Sequence, residues 1–133
     1  MYLRFVTTQI DSDSHHPVGV IQAAYDLLND IQTSHEDKKQ LLLLYNWFCE
    51  NLDVPDRFSK SRKPTAQYKG ISWFKDTPDD CIFRAYQVCE ILNRNHIVTE
   101  KLITSSPGYI LYEDDHQVCA MPFKDSKKQY ARK

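Results

Sequence analysis

Ile97–Met121 reads IVTEKLITSSPGYILYEDDHQVCAM, and this stretch decides the fold. Three short runs rich in β-branched and aromatic residues, Ile97–Thr104, Tyr109–Tyr112 and Gln117–Met121, are set apart by two turn signals. Pro107-Gly108 favours a type II turn, and Asp114-Asp115 supplies the tip of a second hairpin. The spacing predicts a three-stranded antiparallel meander built from local contacts.

Helical signals lie upstream. Thr77-Pro78-Asp79-Asp80 offers an N-cap threonine, a proline at the first helical position and acids in the first turn. The helix so opened continues through Ile82, Ala85, Tyr86, Cys89 and Leu92. Ser34 followed by Asp37 resembles a capping box, and the helix behind it carries Leu41–Tyr45, Trp47, Phe48 and Leu52 before Pro55 ends it. Those residues cover more than one face, so this helix is expected to be central and mostly buried. Pro17 suits a first helical turn, followed by Val20, Ala24, Leu27, Leu28 and Ile31 on one face. Tyr2–Ile10 alternates as a strand.

The order β-α-α-loop-α-β-β-β predicts a small single α+β domain, an antiparallel sheet of about four strands with helices packed on one face. The pairing position of the first strand stays open. At 133 residues the chain fits one domain, expected over 1–123, with 124–133 as a basic, flexible tail. No run resembles a signal peptide, and the longest apolar run, Leu41–Tyr45, falls far short of the ~20 residues that span a bilayer. The expectation is a cytoplasmic protein with no membrane partner. Cys49, Cys81, Cys89 and Cys119 form no CxxC pair and sit among apolar neighbours, which predicts reduced, buried thiols.

The net charge of -1 hides an asymmetry. Asp56–Lys75, DRFSKSRKPTAQYKGISWFK, carries +5, Lys124–Lys133 carries +4, and the rest of the chain therefore carries -10. Cations and rings alternate in the first of these stretches. Arg and Lys neutralise phosphates while aromatic faces stack on bases, so Arg57, Lys60, Arg62, Lys63, Lys69, Trp73 and Lys75 are the candidate ligand-binding residues. The competing account is that Trp73 and Phe74 anchor the loop to the core while the cations stay solvated.

Other clusters carry less. Asp11, Asp13, His15 and His16 lack the calcium-loop pattern and read as a capping turn. Glu113, Asp114, Asp115 and His116 hold the raw material of acid–base chemistry, but neighbours in a strand point to opposite faces, so they read as a solvated turn. No nucleophile elbow is present, and three glycines (Gly19, Gly70, Gly108) cannot build a Gly-rich phosphate cradle. No catalytic residue, metal or cofactor is assigned. The expected function is a non-catalytic binding module for a phosphate-bearing ligand, single-stranded nucleic acid or a nucleotide. The alternative is a protein–protein accessory or regulatory domain with complementary charged surfaces.

Overall fold

The computed structural model describes residues 1–12, 15–52, 70–77 and 79–123, and the backbone of 130–132. Its elements are β1 (Tyr2–Ile10), β2 (Pro17–Gly19), α1 (Val20–Leu28), α2 (His35–Asn51), β3 (Ile71–Lys75), α3 (Asp80–Arg94), β4 (Thr99–Thr104), β5 (Tyr109–Glu113), β6 (Gln117–Met121) and β7 (Tyr130–Arg132). The α+β class and the antiparallel sheet stand, but the sheet is larger than four strands. Six run in the order β5-β6-β3-β1-β4-β7, and β2 joins β1 off that path.

Three strands account for the difference. β3 pairs with β1 on one side and β6 on the other, partners far away in sequence that no local signal announces. Pro17 opens β2 rather than a helical turn, and the helix begins one residue after Gly19, its N-cap. Proline is tolerated there because a peripheral strand need not use every N–H in a ladder. Tyr130–Arg132 lies in the stretch expected to be a flexible tail, yet it pairs with Leu102–Thr104 of β4.

β1 is central, with β4 along one edge from Tyr2 to Thr7. Its other edge is shared. β3 pairs with Tyr2 and Leu3, while β2 pairs from Val6 to Ile10 with a shift in register. The sheet therefore forks between Leu3 and Val6.

Side-chain alternation splits β1 between two cores. Leu3 and Phe5 face the helices with Val20, Ala24, Leu41, Phe48, Phe74, Ala85 and Leu92. Val6 joins Ile71, Trp73, Leu102 and Val118 in a second cluster made of strand residues alone. The three described helices pack on one another. α2 is less central than its leucine run implies, because four consecutive residues span most of a helix circumference. Only Leu41 and Phe48 are buried along it, while Leu43 is 68% exposed. Trp47 is half-buried, its ring edge-on to Phe48 at 5.3 Å with the Arg84 guanidinium 4.0 Å from its centroid.

The capping signals are partly as expected. Ser34 Oγ accepts from Asp37 N at 3.2 Å. On α3 the cap is Asp79 instead of Thr77, with Asp79 Oδ1 accepting from Cys81 N (3.0 Å) and Ile82 N (3.2 Å). A carboxylate satisfies two orphan N–H groups and meets the positive helix end, which a hydroxyl two residues earlier cannot do. The three-stranded meander expected over Ile97–Met121 is not formed: β5 and β6 make a hairpin, but β4 pairs with β1 and β7, because β3 and β1 come between them in the sheet. Between β4 and β5, Gly108 takes φ 129°, and a Cβ there would lie 2.1 Å from Met121 O, so only glycine fits.

Candidate functional site

The fork in the sheet opens a cleft of about 840 Å³. β1 supplies Arg4 and Phe5, β2 supplies Pro17 to Gly19, and β3 supplies Ile71 to Phe74. Arg4 lies in the gap between the two pairings, and its Nη2 donates to Pro17 O at 2.9 Å, tying β1 to β2 beside the fork. The wall mixes apolar groups (Ile10, Val18, Ile21) with polar ones, among them Gln9, Asp11, Gln22 and Asp26. Leu52 and Gly70 also line it, and these are the described residues on either side of the basic stretch.

Arg57, Lys60, Arg62, Lys63 and Lys69 lie outside the described residues. The two candidates that are described have other engagements. Trp73 is 5% exposed and packs in the strand-only core, so its ring is not an open stacking face, although it borders the cleft. Phe74 is buried on the helical side. Lys75 Nζ meets Glu113 Oε2 at 2.8 Å, and that bond raises the lysine pKa above its usual value. The cleft is therefore bounded by anchored residues of β3, with the cations N-terminal to them.

A second constellation lies where α3 begins beside the β5–β6 hairpin. Asp79, Cys81 and His116 bring one carboxylate oxygen, the thiol sulfur and one ring nitrogen within 4.8 Å of one another. No other such trio of metal-ligating side chains occurs among the described residues. His116 Nδ1 stands 3.2 Å from Asp79 Oδ2, which also accepts from Thr77 Oγ1 at 3.3 Å. Burial works against the Asp79 carboxylate, but bonds from His116, Ile82, Cys81 and Thr77 outweigh it and hold its pKa below the ordinary value.

The hairpin tip is ordered rather than merely solvated. Asp114 Oδ1 accepts from the backbone N–H of His116 (2.8 Å) and Gln117 (3.0 Å). Its Oδ2 accepts from Tyr112 OH (3.0 Å) and Gln117 Nε2 (3.1 Å). One carboxylate thus fixes the turn that presents His116.

Cys81 is 2% exposed, and its thiol pKa is pushed up to about 11, first by burial and then by the charges of Asp79, Asp114 and Asp80. Reactive cysteines run the other way, with pKa values of about 3.5–7.5 in electropositive, accessible settings. Proximity to His116 does not make Cys81 a nucleophile.

Sequence reading gave Asp79 to the helix charge pattern, His116 to a turn, and Cys81 to the buried, reduced thiols without CxxC spacing. The available signal was a cysteine two residues past a helix cap, with a histidine in the turn just before a later strand. At Asp11–His16, backbone bonds close the turn, with Asp11 N donating to His16 O at 2.8 Å, and Asp13 is outside the described residues. Cys89 and Cys119 are buried and Cys49 is exposed, so one of the four thiols departs from expectation. No helix among the described residues is long and apolar enough to cross a membrane.

Compared with protein-family models, curated proteins and solved structures, the chain matches none. Function has to be argued from the geometry alone.

Proposed function

We propose that the protein is a non-catalytic binding module that takes a nucleotide, or one nucleotide unit of a single strand, into the cleft at the sheet fork. The observation that carries this reading is that Leu52 and Gly70 both line the cleft. Leu52 and Gly70 are the described residues on either side of 53–69, and the sequence between them carries five cations, Arg57, Lys60, Arg62, Lys63 and Lys69. A cleft of about 840 Å³ falls within the ~300–1,000 Å³ of small-molecule sites. Apolar side chains on its wall suit a base, while Arg57, Lys60, Arg62, Lys63 and Lys69 suit phosphates. Asp11 and Asp26 on the same wall disfavour phosphate beside them.

Titration with nucleoside mono-, di- and triphosphates at low salt tests the reading, with Trp73 fluorescence as the reporter in a Trp47→Phe background. Affinity is expected to rise with phosphate number and fall with salt, and Arg62→Ala/Lys63→Ala is expected to weaken binding of the triphosphate most. Absence of binding to every nucleotide and to short oligonucleotides at low salt would refute the proposal and favour the protein-partner alternative.

A further inference from the structure

The geometry points to a divalent-cation site at Asp79, Cys81 and His116, of the borderline-soft kind that zinc and cobalt(II) fill. It is independent of the nucleotide reading. The donor set decides the metal class: magnesium and calcium take all-oxygen shells, whereas a thiolate, an imidazole and a carboxylate together suit zinc. Three protein donors leave a fourth position for water or a ligand, the pattern of open zinc sites.

Distances fit. Two donors bound at ~2.0–2.1 Å in a tetrahedron lie ~3.3 Å apart. His116 Nδ1 and Asp79 Oδ2 already stand 3.2 Å apart. The sulfur lies within 4.8 Å of one Asp79 carboxylate oxygen and one His116 ring nitrogen, and a zinc–sulfur bond of ~2.3 Å needs an edge of roughly 3.6 Å. A shift on the order of 1 Å closes that difference, and the His116 side chain, 45% exposed, has room to make it.

The surroundings favour a cation. Asp80 follows Asp79 in the chain and Asp114 bonds the His116 backbone N–H, so further carboxylates neighbour the site and stabilise positive charge there. Thiolate and Asp79 carboxylate together neutralise a dication. Binding breaks the S–H bond, forms a sulfur–metal bond and releases the proton to solvent, with no change of oxidation state. Outer contacts are in place: Thr77 holds Asp79, and Asp114 fixes the backbone of His116. The exposed edge of His116 provides the way in.

Cobalt(II) titration of the full chain in a Cys49→Ser background, which removes the exposed competing thiol, tests the site. The expected result is one equivalent bound, with a thiolate-to-cobalt charge-transfer band and the visible bands of tetrahedral cobalt, all abolished by zinc. Cys81→Ser is expected to remove the charge-transfer band. His116→Ala, a change at a half-exposed position, is expected to weaken cobalt binding beyond the ~10–100-fold that outer partners contribute to such sites. As a second readout, saturating zinc is expected to raise Tm in the parent and not in His116→Ala. A cobalt complex lacking the sulfur band, one whose affinity survives His116→Ala, or no uptake at all, overturns the site.

Discussion

Replacing Trp73 with alanine separates a packing residue from a stacking platform. The indole is 5% exposed and packs with Val6, Ile71, Leu102 and Val118 on the face of the sheet away from the helices. Truncating a large buried aromatic costs ~3–5 kcal/mol, the lost transfer energy plus the cavity left behind. A domain holds only ~5–15 kcal/mol in total. For a chain between the small and large size classes, each kcal/mol moves Tm by ~3–5 °C, so Trp73→Ala should melt roughly 10–25 °C below wild type. Trp73→Phe retains most of the buried area and should fall well short of that. Urea unfolding should show a lower midpoint with an unchanged m-value, because the same surface is exposed on unfolding. Were Trp73→Ala to melt near wild type while nucleotide binding disappeared, the ring would belong to the ligand, and the second core would be misplaced.

Two further outcomes follow from the surface chemistry. A thiol reagent should modify Cys49 alone in the native protein and all four cysteines after denaturation, as counted by mass, because Cys81, Cys89 and Cys119 are buried. Asp37 accepts from Arg94 Nη2 at 2.6 Å and Asn95 Nδ2 at 3.0 Å, and these bonds, that of Arg94 foremost, lower its pKa below 3.8. A depressed folded-state pKa contributes stability that is present above the unfolded value and lost as pH falls through the folded one. Asp37→Asn should therefore be less stable than wild type at neutral pH, with the gap closing only as pH falls through the depressed folded-state value. A stability gap that stays constant from pH 7 to pH 2 would refute the pairing.

What was legible in the sequence was local. Asp114-Asp115 turns the β5–β6 hairpin because turn chemistry acts over four residues, and Ser34 caps α2 for the same reason, whereas Pro107-Gly108 turns the chain without pairing β4 to β5. What was hidden depends on partners distant in the chain. ISWFK became β3 only because Leu3 meets Phe74 on one side and Val118 meets Trp73 on the other. The central place of β1 needs β3 and β4 together, and the fork needs β2, a strand of three residues opened by a proline. The cleft follows from that fork, so no reading of residue types could locate it. Asp79 and His116 are 37 residues apart and meet only because β6 lies beside β3, whose end leads into α3.

Charge distribution bears on the size of the proposed ligand. Outside Asp56–Lys75 and the last ten residues the chain carries -10, so most of the molecule repels a polyanion. At physiological salt the screening length is ~8 Å, about the span of two or three extended residues. A phosphate held beside the basic stretch is attracted by near charges and screened from the far acidic ones. A strand several nucleotides longer than the cleft brings phosphates to a chain whose other residues sum to -10, so net like charge opposes added length. Single-strand binders that gain affinity with length line the whole path with cations and rings. Here the rings of β3 are committed to the two cores, and Lys75 is tied to Glu113. The balance therefore favours a nucleotide-sized ligand over a long single strand.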